Sequence, residues 1–117
     1  MQRSFLAAAI RWLPVGVWAG LIFLLSHQPS LPQLGPPLAS SIAHFVEYLV
    51  LAFLLARAAG SRGGALGAPL YGISDELHQA FVPGRTATME DWLFDAAGSL
   101  AGVWLHRVSR QLRGWPS

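Results

Sequence analysis

A chain of 117 residues has room for one domain. Hydrophobic residues make up 53% of it and charged residues 12%, about half the charged share of an ordinary soluble domain. Cysteine is absent, which excludes disulfides and thiolate metal sites. Lysine is also absent, and the formal charge of +2 is too small and too dispersed for nucleic-acid binding.

The apolar segments predict an all-α fold with four transmembrane helices, in a single domain over residues 1–117. The first run, about 5–25, has the roughly 20 apolar residues that cross a bilayer core. No A-x-A-like cleavage site follows it, so we expect a retained membrane helix and not a signal peptide. The other helices are predicted at about 42–59, 65–81 and 89–108, separated by turn-rich or glycine-rich segments.

The arginines predict how four such helices are oriented. With four spans, both termini and the middle loop lie on one side of the membrane. That side carries Arg3, Arg57, Arg62, Arg107, Arg110 and Arg113. The other side carries Arg85 alone, and Arg11 lies inside the first helix. Because cytoplasmic loops are enriched in arginine, we expect both termini in the cytoplasm.

The acidic residues collect at the opposite end of the predicted bundle. They fall in its outer half or at its surface: Glu47, Asp75, Glu76, Glu90, Asp91 and Asp95. A charged side chain at mid-membrane costs roughly 2.5–3.5 kcal/mol, and it is tolerated mainly where it faces a partner or a water-filled cavity. We therefore expect an outward-facing polar pocket.

Helical spacing places polar side chains on shared faces. These faces are His44/Glu47/Tyr48, Asp75/His78/Gln79 and Asp91/Asp95. Glu76 points about 100° away from Asp75 around the helix. Two alternatives stay open: both acids face the pocket, or one of them is solvated at the helix end. In the last helix, Gly98-x-x-x-Gly102 favours close packing against a neighbour.

Four stretches carry a family resemblance: LSHQP, HFVEYLVLAFLL, SDELHQAFVPGR and DWLFDAAGSLAG. In this order they resemble the VanZ-like family of small bacterial membrane proteins, over nearly the whole chain, and SDELHQAFVPGR is the most specific of them. Two positions depart from the family's pattern. Ser40-Ser41 stands where members often carry Asp-Lys, which removes a cation from the pocket rim. Asp95 stands where many carry asparagine, which adds a negative charge or a shared proton.

The resemblance implies a multi-pass protein of the bacterial plasma (inner) membrane with an envelope-related role. The family takes its name from a protein associated with low-level resistance to the glycopeptide teicoplanin. The candidate catalytic residues carried over by position are His44, Glu47, Asp75 and His78. The candidate substrate-binding residues are Tyr48, Ser74, Glu76, Gln79, Arg85, Asp91 and Asp95.

Three functions stay open at this point, and whether the chain is an enzyme is one of the open questions. The first is an effect on the cell envelope or on glycopeptide susceptibility. The second is a hydrolase or transferase acting on a lipid-linked phosphate or cell-wall precursor, with Arg85 holding the phosphate. The third is a small proton-coupled transporter that acts as an oligomer. The expected partners are the bilayer and a lipid-linked or cell-wall-related ligand.

A divalent metal ion is one possible cofactor. His44-x-x-Glu47 and Asp75-x-x-His78 have the i, i+3 carboxylate–histidine spacing of metal sites in helical bundles. Asp95 would add an oxygen ligand from another helix. The ligand set would then be His44, Glu47, Asp75, His78 and Asp95.

Overall fold

The computed structural model describes residues 2–27, 37–81 and 89–114. They form three helices, α1 (Gln2–His27), α2 (Pro37–Ala80) and α3 (Met89–Leu112). No strand occurs in these ranges, so the all-α prediction is confirmed. We predicted four helices; the second and third follow each other with only Gly60 between them, and we label them together as α2.

A single residue, Gly60, interrupts α2. Its backbone angles are φ 87° and ψ 171°, a region that glycine enters without the steric penalty of a side chain. The helix resumes at once, so the connection predicted up to residue 64 is wrong in length. We refer to residues 37–59 as the first arm of α2 and to residues 61–80 as its second arm.

The two arms of α2 fold back on each other. A straight helix of 44 residues would be about 66 Å long, whereas the longest dimension of the molecule is 46 Å. Tyr48 of the first arm bonds Asp75 of the second, and Gly64 lies against the backbone carbonyl of Ala52. Because residues late in one arm meet residues early in the other, the arms are antiparallel.

α3 packs along the first arm in the same direction. Gly98 lies against the carbonyl of Phe45, and Gly102 lies against the carbonyl of Leu49. A Cβ atom at either glycine would collide with that carbonyl oxygen, so the close approach requires glycine. The prediction that Gly98-x-x-x-Gly102 allows close helix packing is confirmed.

α1 is attached to the other side of α2. The indole of Trp18 donates a 2.8 Å hydrogen bond to the carbonyl of Glu47, and the hydroxyl of Tyr71 donates one of 2.6 Å to the carbonyl of Ala19. α1 and α3 have no pair of Cα atoms within 8 Å of each other. Most large apolar side chains of α1 are exposed, as a lipid-facing helix requires.

Two stretches are long and apolar enough to cross a membrane, Gln2–Leu25 and Ser41–Ala80. This finding rests on length and composition. The second stretch contains the reversal at Gly60, and a single arm of about 20 residues is about 30 Å long, the thickness of a hydrocarbon core. The four-span arrangement and the cytoplasmic position of both termini remain predictions.

Candidate functional site

The parallel packing of α3 on the first arm brings His44 and Asp95 together. The His44 Nδ1 and Asp95 Oδ1 atoms are 2.9 Å apart, and the Asp95 side chain is fully buried, with 0% exposure. The second carboxylate oxygen, Asp95 Oδ2, has no hydrogen-bond partner among the described residues. An unpartnered oxygen on a buried carboxylate is costly, so it favours a proton, a cation or a polar ligand beside it.

A second buried pair joins the two arms of α2. The Tyr48 hydroxyl donates a 3.2 Å hydrogen bond to Asp75 Oδ2. Asp75 is 4% exposed, and Gln79, one turn further along, is 2% exposed. Within the part of the chain that the structure describes, neither Asp75 Oδ1 nor Gln79 Nε2 has a partner. Asp75 therefore presents an acceptor, and Gln79 an amide donor, that are available to a ligand.

Glu76 connects the second arm to the His44–Asp95 pair. His44, Glu76 and Asp95 each offer one ligand atom, and these three atoms lie within 4.8 Å of one another. Glu76 is half-buried. Although Asp75 and Glu76 are adjacent in sequence, both face the interior, Asp75 beside Tyr48 and Glu76 beside His44 and Asp95. We refer to the following six residues as the acid–histidine cluster: His44, Tyr48, Asp75, Glu76, Gln79 and Asp95.

Two residues that sequence reasoning missed support this cluster. A Cβ atom on Gly72 would lie 3.4 Å from Asp95 Oδ2 and from the Tyr48 ring, so glycine lets the second arm approach both. Ser99 is buried and donates a 2.7 Å hydrogen bond to the carbonyl of Asp95. Gly72 lies three residues before Asp75 and four before Glu76, so it shares their side of the helix. This spacing is the signal by which the sequence could have identified it.

Other predicted residues lie beside α1. His78 is half-buried, and its ring stacks on Phe23 with centroids 4.5 Å apart. Glu47 is half-buried, and its backbone carbonyl receives the Trp18 indole. Of the five predicted metal ligands, the structure groups His44 and Asp95 and adds Glu76 to them. Within the described residues, the other three predicted ligands are not part of this group: Glu47, Asp75 and His78.

The remaining predicted residues take three different positions. Ser74 is exposed, and its hydroxyl donates a 2.7 Å hydrogen bond to the carbonyl of Tyr71 in its own helix. Asp91 is half-buried, one turn before Asp95 on α3. Arg85 lies outside the described residues.

Acidic side chains outnumber the basic one in the cluster. The cluster contains three carboxylic acids and one imidazole. The arginine of the first arm, Arg57, lies 13 residues after His44, about 20 Å along the helix axis. Buried carboxylates in an apolar setting need compensating partners, so the cluster is suited to bind a cation or a polar ligand.

The helices and the cluster define a class: a small α-helical membrane protein with buried acidic and histidine side chains where its helices meet. A family model described as VanZ/LLP1 matches residues 10–110. The chain belongs to the VanZ/LLP1 family, which confirms the resemblance seen in the sequence. Comparison with curated proteins and with solved structures found no significant match.

Proposed function

We propose that this protein acts in the envelope of a bacterial cell, at the plasma membrane, and that the acid–histidine cluster mediates an effect on susceptibility to glycopeptides such as teicoplanin. Family membership supports the envelope role. The observation that carries the role of the cluster is the buried His44–Asp95 pair with Glu76 beside it, next to the buried bond between Tyr48 and Asp75.

Packing alone does not account for these acids. Replacing a buried ion pair by apolar residues of similar volume is often neutral or stabilising. A charged side chain within a membrane costs roughly 2.5–3.5 kcal/mol at the centre and less near the interface. A chain that gathers Asp75, Glu76 and Asp95 in one place therefore gains something from them besides stability.

Asp75→Asn is expected to abolish the effect on teicoplanin susceptibility. Asparagine keeps the size of the side chain and can still accept the Tyr48 hydroxyl, but it removes the charge. The measurement is the minimal inhibitory concentration of teicoplanin for a host that lacks its own VanZ-like genes and expresses either form. We expect wild type to raise this concentration above that of the empty vector and Asp75→Asn to return it to the vector value.

The matched control is Ser109→Ala. This change removes a hydrogen bond within α3 at the end of the helix remote from the cluster, where the hydroxyl donates to the His106 carbonyl. Immunoblots of the membrane fraction keep the comparison at equal protein level. If Asp75→Asn protected the host as well as wild type does, the proposed role of the cluster would be wrong.

A second function is favoured by the three ligand atoms of His44, Glu76 and Asp95. These three residues would hold a divalent cation, which would supply charge stabilisation for hydrolysis or transfer of a phosphate group. Asp75 Oδ1 and Gln79 Nε2, buried and without partners in the described ranges, would bind polar groups of the substrate or a water molecule. This arrangement supports metal-assisted hydrolysis or transfer on a lipid-linked phosphate.

Glu76→Gln is expected to lower such an activity by at least about 10- to 100-fold, because it removes an anionic ligand of the ion. The measurement is phosphate release from a polyprenyl diphosphate by the detergent-purified protein with Mg²⁺ or Mn²⁺, with EDTA as the reversible block. The control Leu93→Ala changes an exposed apolar residue of α3 and should leave the rate unchanged. Absence of release, combined with proton flux across proteoliposomes, would favour the transporter instead.

A further inference from the structure

A second polar feature lies at the Gly60 end of the molecule. There a cleft of about 590 Å³ opens between α1, the turn of α2 and the last turns of α3. Its charged and polar lining consists of Arg11, Arg57, His106, Arg110 and Arg113. His106 lies 11 residues after Asp95 on α3, about 16 Å along the helix axis, so the cleft is separate from the acid–histidine cluster.

The arginines of this cleft come from different helices. Arg11 belongs to α1, Arg57 to α2 and Arg110 to α3, and no acidic residue within 2–27, 37–81 or 89–114 lines the cleft. The Arg57 guanidinium donates a 3.3 Å hydrogen bond to the carbonyl of Ile10, which holds it beside Arg11. Because like charges brought together repel one another, the arrangement is complementary to an anion between them.

His106 supplies a buried polar group to the same cleft. It is 7% exposed, and its Nδ1 atom has no hydrogen-bond partner in the part of the chain described. The ring is fixed edge-on to Phe53, with centroids 5.5 Å apart. A buried polar atom of this kind is normally satisfied by a partner, and one that lines a cleft can be satisfied by a ligand.

We propose that this cleft binds the phosphate-bearing headgroup of an anionic lipid of the same membrane. Arginine forks match phosphate oxygens in geometry and charge. The volume falls in the range of small-ligand sites, about 300–1,000 Å³. Basic pockets between membrane helices bind anionic headgroups in this way.

The headgroup also has a structural consequence for α1. α1 and α3 have no Cα atoms within 8 Å of each other, so both reach this cleft without touching. A phosphate between Arg11 and Arg110 joins the two helices. The bound lipid therefore holds α1 in place at the basic end, where direct contacts with α3 are missing.

We expect the double variant Arg57→Gln/Arg110→Gln to bind phosphatidylglycerol with roughly 10- to 30-fold lower affinity than wild type. Each arginine near an anionic lipid surface contributes on the order of fivefold or more to the affinity. Native mass spectrometry of the full chain in detergent, titrated with phosphatidylglycerol or phosphatidylcholine, measures the lipid-bound fraction. Wild type should bind phosphatidylglycerol saturably and more tightly than phosphatidylcholine.

A matched control exists at the same end of the molecule. Arg62 and Arg107 line a separate groove of about 360 Å³, and Arg62→Gln/Arg107→Gln changes the net charge by the same amount. This variant should bind phosphatidylglycerol nearly as tightly as wild type. Arg11→Gln/Arg113→Gln is a second test of the cleft that leaves the bond between Arg57 and Ile10 intact.

Three results would overturn the proposal. The first is equal binding of phosphatidylglycerol and phosphatidylcholine by wild type. The second is an equal loss in the cleft variants and in the control, which would show general charge attraction. The third is displacement of the lipid by inorganic phosphate at similar concentrations, which would identify a site for a soluble anion.

Discussion

Replacing Asp95 with asparagine is expected to lower the affinity of the purified protein for Mn²⁺ by more than about 100-fold, because even changes outside a metal's own ligands cost 10- to 100-fold. Asp95 belongs to the three-atom ligand group with His44, to which it is hydrogen-bonded, and Glu76. Asparagine keeps the shape of the side chain but replaces an anionic oxygen by a neutral one. The wild-type protein is accordingly expected to bind one Mn²⁺ ion.

The geometry of the pair is close to what an ion requires. Ligand atoms at about 2.1 Å from one ion, at right or tetrahedral angles, are about 3.0–3.4 Å apart. His44 Nδ1 and Asp95 Oδ1 are 2.9 Å apart, and one ligand atom from each of His44, Glu76 and Asp95 lies within 4.8 Å of the other two. An ion bound there would replace the hydrogen bond between His44 and Asp95, with Glu76 supplying the third ligand atom.

Electron paramagnetic resonance of free Mn²⁺ measures the binding after the detergent-purified protein has been treated with chelator. Asp91→Asn is the matched control, since it makes the same change of charge one turn earlier on α3, outside the three-atom group. We expect that variant to lose at most a few-fold in affinity. Wild type that binds no Mn²⁺, or equal losses in both variants, would contradict coordination by Asp95.

The sequence predicts the helices well because their apolar runs are long, and it misjudges the connection at Gly60. A stretch of glycines, serine and arginine indicates a flexible loop by composition. In the structure only Gly60 leaves the helical conformation. Gly64 is helical, and it is needed because a Cβ there would lie 2.6 Å from the Ala52 carbonyl oxygen. Composition alone cannot distinguish a glycine that turns the chain from one that admits a neighbouring helix.

For the candidate site, the sequence predicts which residues share a face within one helix. Which faces meet depends on how the helices pack, and that is decided by residues far away in the chain. His44 bonds Asp95, 51 positions later, and Glu76 joins them from a second arm whose direction Gly60 sets. A wheel projection of the second arm separates Asp75 from Glu76, yet both face the interior because neighbours lie on two sides of that arm.

Gly102→Val is expected to destabilise the protein by about 3 kcal/mol, the upper end of the usual effect of overpacking. The new Cβ would collide with the carbonyl oxygen of Leu49, a backbone atom that cannot rotate away as a side chain can. α3 would have to move away from the first arm. Unfolding in mixed micelles with increasing dodecyl sulfate, followed by circular dichroism, measures the change.

Gly20→Val in α1 is the matched control, because a Cβ atom at Gly20 meets nothing within 4 Å. The same substitution there should change the stability by less than about 0.5 kcal/mol, the difference in helix propensity between the two residues. Equal destabilisation by both variants would show that loss of glycine itself, and not the contact with Leu49, is responsible.

The same glycine also controls the candidate site. Gly98 and Gly102 fix the distance between α3 and the first arm. His44 and Asp95 lie across that same interface, since His44 directly precedes Phe45 and Asp95 is one turn before Gly98. An outward shift of α3 by about 1 Å would separate Asp95 from His44, and catalytic or ligand geometry tolerates only about 0.5 Å. Gly102→Val is therefore expected to weaken Mn²⁺ binding although every ligand remains, whereas Gly20→Val leaves it unchanged. A protein that kept its full Mn²⁺ affinity while losing stability would show that the cluster does not depend on this interface.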